Sequence, residues 1–245
     1  MEKAQIQIKE NIAELAEAFA ERFASLAKEA VAARGKFLAV LSGGGTPLIA
    51  YRLLAKRPLR EMVPWDRVHL FWGDERYVPQ DNPESNFRQA SEALLNYVNI
   101  PQSNIHPMPT DLPLDEAAQA YDQTLRSFVE ASQRSVRFDL VMLGLGSDGH
   151  TASLFPGQSA LWKDPVIITE GSYQGRPAKR LTLTPLALNQ TRDVVFLVSG
   201  EAKADALANG LGETKDANRF PSQAINPPNG KVLWMVDAAA AKLIA

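Results

Sequence analysis

Asp148 and His150 stand two positions apart in FDLVMLGLGSDGHTASLFPG (Phe138 to Gly157), after an apolar run and among Gly144, Gly146 and Gly149. Imidazole titrates near neutral pH and a neighbouring carboxylate can orient it, so the pair suits general-base chemistry. The glycines permit a turn that carries both side chains at the end of a buried strand. The same letters satisfy G-x-G-x-x-G, but a dinucleotide fingerprint needs a continuous helix after its third glycine. Pro156-Gly157 interrupts that helix, and Glu170, spaced as a ribose-binding acid, falls in a loop-rich stretch. A nicotinamide site is therefore disfavoured. The nucleophile elbow G-x-S-x-G fails too, because Leu145 rather than glycine stands two residues before Ser147.

Two other segments could bind anions. In Ser42-Gly43-Gly44-Gly45-Thr46-Pro47 the glycines let backbone N–H groups approach a phosphate, and the following helix N-terminus adds donors and a favourable dipole. No Gly-Lys-Ser/Thr follows, so this is not a P-loop; the plain alternative is a tight strand-to-helix turn. Gly73-Asp74-Glu75-Arg76 sets three charges directly after the apolar strand HLFW. Arg76 can fork onto a phosphate or carboxylate and Asp74 can accept from hydroxyls, against the alternative of a solvated turn. Downstream, Asn86 and Arg88 offer further polar groups, with Ser85 as a candidate helix cap. Arg180 and Lys203 are candidate anion ligands that compete with a reading as exposed bases. Of the three histidines, His69 reads as structural within a strand and His106 as a loop residue. Their settings give no zinc cluster, and no metal site is expected.

These motifs need a scaffold that gathers them. Apolar positions from Ile12 to Val31 recur at helical spacing, with Gly35 as a stop, so one long helix is expected over the first 35 residues. Strands are expected at Phe37–Leu41, Arg67–Trp72, Phe138–Leu143, Arg180–Thr184, Val194–Val198 and Val232–Val236. Helices are expected at Leu48–Ala55, Glu84–Tyr97, Leu114–Gln133 and Glu201–Leu211, and loops at 158–179 and 218–231. Alternating strands and helices imply an α/β fold with a mostly parallel sheet covered on both faces. Three strands end in SGGGTP, GDER and GLGSDGH, and ligands of such sheets sit beyond the carboxyl ends of the strands. With no repeat or linker, residues 1–245 read as a single domain.

Composition narrows the function classes. A net charge of −2 argues against a general nucleic-acid or membrane-surface binder. The absence of cysteine excludes disulfides and thiol nucleophiles. Neither a signal-type N-terminus nor a spanning stretch is apparent, so a soluble, cytoplasmic protein is expected.

SGGGTPLIAY, FWGDERYVPQDNPESNFR, DLVMLGLGSDGHTASLFPG, RLTLTPLALNQ and KVLWMVDAAAA together resemble the 6-phosphogluconolactonase family, in the family's order and over essentially the full length. The resemblance implies a modified Rossmann-like α/β/α sandwich and hydrolysis of 6-phospho-D-glucono-1,5-lactone without a cofactor. The nearest competitor is the sugar-phosphate deaminase/isomerase branch, which places an acidic residue five positions after the histidine. Phe155 occupies that position here and cannot shuttle protons. On this reading His150 takes a proton from water, Asp148 orients it or holds a hydroxyl, and Arg76 helps the oxyanion. The loop Gly43, Gly44, Gly45 and Thr46, with Asp74, Asn86, Arg88, Arg180 and Lys203, would hold the sugar phosphate. The partner is that small lactone, and a monomer, at most weakly dimeric, is expected. A catalytically silent sugar-phosphate sensor is the alternative from another class, although no helix-turn-helix segment accompanies the domain.

Overall fold

A computed structural model describes residues 5–129, 135–171 and 175–244. Seven strands form one parallel sheet in the order β1-β10-β9-β6-β2-β3-β5. They are β1 (Gln5–Lys9), β2 (Phe37–Leu41), β3 (Val68–Trp72), β5 (Ile105–His106), β6 (Phe138–Leu143), β9 (Thr191–Val198) and β10 (Lys231–Asp237). A second, antiparallel sheet has the order β4-β8-β7, from β4 (Asp74–Arg76), β7 (Val166–Glu170) and β8 (Lys179–Leu183). The helices are α1 (Ile12–Arg34), α2 (Gly45–Leu54), α3 (Leu59–Met62), α4 (Asn86–Ala93), α5 (Leu114–Arg126), α6 (Pro185–Leu188) and α7 (Ala204–Leu211).

Every residue of β2 and β6 is buried. The apolar run of β2, and that of β6 broken only by Asp139, are what a strand covered on both faces requires. The Asp139 carboxylate is met by the Leu38 N–H and the Arg34 guanidinium. Helix α1 packs Leu15, Phe19, Phe23 and Ala27 into the core on one stripe. Asn11 opens it by accepting from the N–H groups of Ala13 and Glu14, each at 3.0 Å. Gly35 closes it at φ 74°, with its N–H on the Val31 carbonyl, a left-handed cap that glycine adopts without steric cost.

The sequence-based element map needs several corrections. Residues 5–9 form β1 rather than part of the first helix; pairing with β10 outweighs the local helical pattern. The strands β4 and β5, of three and two residues, are too short to carry a readable alternation, and β7 falls inside a stretch read as loop. β7 occupies part of the expected 158–179 loop, and its pairing with β8 takes β8 out of the parallel sheet. His106 therefore lies on the edge strand β5, not in a loop. The helix expected at 84–97 is shorter, with Ser85 as its cap and a separate 3-10 turn at Leu95–Tyr97. The helix expected to reach Gln133 ends at Arg126, and residues 130–133 of that expectation lie outside the described residues.

Chain order places the site. From β2 the chain steps outward through β3 to β5, whereas β6 lies on the other side of β2 and leads to β9 and β10. The carboxyl ends of β2 and β6 thus flank a switch point, where an open sheet forms its ligand crevice.

Candidate active site

A cleft of about 280 Å³ opens at that switch point. The loop after β2 supplies Ser42, Gly43, Gly44, Gly45 and Thr46; the turn after β6 supplies Gly144, Gly146 and His150; β4 and β8 supply Asp74, Arg76 and Arg180. Asn86 at the start of α4 and Lys203 also line it. Asp148 does not line the cleft itself but bonds to the imidazole that does. Arg88 is absent from the lining: it turns to Glu92 at 2.7 Å and to the carbonyl of Asp81. Among the lining groups, Arg176 and Ser199 were not singled out from the sequence. Arg176 sits in the β7–β8 connection, which bears no motif and reaches the cleft only because β8 pairs with β4.

Asp148 Oδ1 lies 2.6 Å from His150 Nδ1 and 3.2 Å from the His150 N–H. Burial works to raise the Asp148 carboxyl, yet the hydrogen bond and charge of His150 outweigh it and hold it below the ordinary carboxylate range. An ionised carboxylate accepts only, so the proton between them sits on Nδ1 and the basic lone pair is on Nε2. The turn is tightly drawn around this pair. The Gly146 N–H donates to the His150 carbonyl at 2.7 Å, and a Cβ on Gly146 would stand 2.1 Å from Nδ1 and 2.4 Å from Asp148 Oδ1. Phe155 packs on the imidazole with ring centroids 5.0 Å apart, and the Arg180 guanidinium lies 5.6 Å over the same phenyl ring.

The same cleft carries strongly donating groups. Arg76 and Arg180 are buried, at 6% and 4% exposure. Among the described residues, Arg76 Nε and Arg180 Nε and Nη2 have no hydrogen-bond partner. Burial lowers the Arg180 pKa, and the nearby Arg76 charge adds to that effect against the counter-charge of Asp74. Buried cationic donors left unpaired are costly, and an anionic ligand satisfies them. Asp74 Oδ2 accepts from Ser153 Oγ at 2.6 Å, so the carboxylate between the arginines is itself held in place.

The glycine loop lines the same cleft. Gly44 precedes α2 at φ 107° and gives its N-terminus no side-chain cap. Tyr51, one turn or more along α2, clasps the loop: its hydroxyl donates to the Ser42 carbonyl at 2.8 Å and accepts from the Ser42 N–H at 3.2 Å. Thr46 and Ser199 hydroxyls meet at 2.7 Å, tying the loop after β2 to the end of β9.

The model for glucosamine-6-phosphate isomerases/6-phosphogluconolactonase matches residues 10–234. This chain belongs to that family. A Synechocystis 6-phosphogluconolactonase is 46% identical over 215 residues, covering 86% of each chain. The Mycobacterium tuberculosis 6-phosphogluconolactonase is 41% identical over 221 residues, 87% of this chain and 88% of the relative. Among solved structures, a 6-phosphogluconolactonase from Thermotoga maritima superposes with TM-score 0.83 at 33% identity, covering 96% of this chain and 100% of its own. One from Trypanosoma brucei reaches 0.88 at 29% identity, covering 99% of both. A monomeric glucosamine-6-phosphate deaminase also superposes at 0.84, and at 22% identity that likeness is one of fold.

Proposed function

We propose that this chain hydrolyses 6-phospho-D-glucono-1,5-lactone to 6-phosphogluconate, the second step of the oxidative pentose phosphate pathway, as one cytoplasmic domain. The relatives named 6-phosphogluconolactonase support the activity. The observation that carries the chemistry is the Asp148-bonded His150 lining one small cleft together with buried arginine donors. Phe155 against the imidazole supplies no second acid or base, which favours the lactonase over a proton-shuttling deaminase.

A δ-lactone is an activated ester. His150 Nε2 takes a proton from water as the water oxygen bonds to C1. The C1 carbonyl electrons move onto its oxygen, and Arg76 is the cation beside that developing charge. When the C1–O5 bond breaks, the imidazolium returns the proton to O5, leaving an open-chain acid that ionises to 6-phosphogluconate. Asp148 keeps the ring in the required tautomer and steadies its charge. Arg180, Lys203 and the N–H groups of the Gly43–Thr46 loop hold the dianionic phosphate.

The test is turnover of lactone generated in situ, read by a coupled dehydrogenase with spontaneous hydrolysis subtracted, against release of ammonia from glucosamine 6-phosphate. Lactone hydrolysis is expected, with no ammonia; binding of 6-phosphogluconate without turnover would instead mark a sensor. His150→Ala should retain the fold and bind 6-phosphogluconate while kcat falls about 10²–10⁴-fold, the usual worth of a general base.

A further inference from the structure

The charges of Asp74-Glu75-Arg76 divide between two faces. Side chains alternate along a strand, so Asp74 and Arg76 share the cleft side of β4 and Glu75 points away from it. Glu75 is 1% exposed and its carboxyl is saturated. Oε1 accepts from the N–H groups of Arg76 at 2.8 Å and Asn86 at 2.7 Å. Oε2 accepts from the Phe87 N–H at 2.8 Å and Ser85 Oγ at 3.1 Å. Two of these donors are the first N–H groups of α4, which have no partner inside a helix. Ser85 serves the third, accepting from the Arg88 N–H at 3.2 Å. The helix N-terminus is thus capped jointly by its own serine and by a carboxylate from another element.

What this junction carries is Asn86. Its Nδ2 donates to the Asp74 carbonyl at 2.9 Å, and its buried Oδ1 has no hydrogen-bond partner among the described residues. That oxygen lies so close to the glycine loop that a Cβ on Gly43 would be 1.9 Å from it. The Asn86 amide therefore stands at the cleft between the anion loop and Asp74. It is an acceptor suited to a sugar hydroxyl.

We propose that Glu75 is a positioning residue for substrate binding: by joining the Arg76 backbone to the first turn of α4, it holds Asn86 and Arg76 in register across the cleft. The inference rests on the lactonase reading for its kinetic form. Glu75 touches no substrate; it acts through Asn86 and Arg76. A cap that merely stabilised α4 would affect folding and leave ligand affinity unchanged.

The test is a double-mutant cycle of E75Q and N86A, reading KM and kcat for the lactone, the Kd for 6-phosphogluconate by calorimetry, and Tm. The E75Q amide keeps one acceptor and sets an NH₂ against N–H donors, so half the junction is lost. E75Q should raise KM and Kd about tenfold, the scale of one or two lost hydrogen bonds, with a smaller change in kcat. The double variant should lose clearly less than the product of the two single effects, because Asn86 is one of the two groups Glu75 acts through and coupled residues are not additive. Additive effects, or a lowered Tm with KM and Kd unchanged, would overturn the proposal. Should E75Q fail to fold, Ser85→Ala removes one donor from the carboxylate and runs through the same cycle with the same two readings. If the wild-type chain leaves lactone hydrolysis at background, the lactonase reading falls, and the Kd cycle still decides the role of Glu75.

Discussion

Gly146 shows how little room the proposed catalytic pair leaves. Its missing Cβ is what lets Asp148 and His150 close to 2.6 Å, since a methyl there would overlap both atoms of the hydrogen bond that orients the imidazole. Gly146→Ala should therefore act as a catalytic lesion without replacing either side chain of the pair. We expect kcat to drop about 10²-fold, at the lower end of general-base effects, while KM moves less than about threefold. Steady-state kinetics on the lactone will check this. A variant with wild-type kcat would mean that the pair tolerates a displaced imidazole. Gly149 serves the same turn differently: at φ 90° it adopts a left-handed conformation that side chains disfavour.

The antiparallel β4-β8-β7 sheet is the element that turns a Rossmann-like crevice into this cleft. β8 brings Arg180 beside Arg76 through the pairing Arg76↔Arg180, and β7 backs it with the pairing Thr169↔Arg180. Just past β7, Gly171 meets the Phe155 ring so closely that a Cβ would lie 2.4 Å from it. That ring is packed between the His150 imidazole and the Arg180 guanidinium. A methyl at 171 must push it towards one or the other. Gly171→Ala should therefore lower kcat/KM by about tenfold and cost about 1–3 kcal/mol of stability, the usual penalty of overpacking. Kinetics and thermal unfolding measured together distinguish this from simple destabilisation, in which only Tm would fall.

At the scale of the whole molecule, the sheet separates catalysis from a histidine pair on its flank. His69 on β3 and His106 on β5 stack at 5.6 Å between centroids and share the contact of Phe128. Burial lowers both; the neighbouring His69 helps push His106 down to about 4, and Lys36 acts on His69 in the same sense. Against an ordinary value of 6.5, the unfolded chain then binds protons that the native state refuses. Stability contributed by keeping the pair neutral is complete above about 6.5 and falls as pH drops towards 4. Asp148 works in the same direction but only below the ordinary carboxylate range, outside that window. Glu75, pushed up to about 7 by burial, acts in the opposite sense over the same window, so the histidine contribution is read as a difference. Between pH 6.5 and pH 4.5 His106→Gln should lose less Tm than the wild type. An equal slope in the variant would place the acid sensitivity elsewhere.

The sequence by itself determined the parallel core and the loops that end its strands. Buried strands such as Phe37–Leu41 are unbroken apolar runs, and SGGGTP, GDER and GLGSDGH carry the marks of turns that meet a ligand. Tertiary structure decided what single residues do at those turns. Adjacent charges in GDER part company because β4 alternates, so Glu75 leaves the cleft for α4 while its neighbours enter it. Arg88, two positions beyond Asn86, turns instead to Glu92 one helical turn on. Arg176 arrives from a motif-free connection through the β4–β8 pairing. Apolar periodicity is a local property and is legible in order along the chain. The direction of a polar side chain depends on partners distant in the chain, as Asp74 held by Ser153 and Arg180 laid over Phe155 illustrate, and only the folded packing brings those partners together.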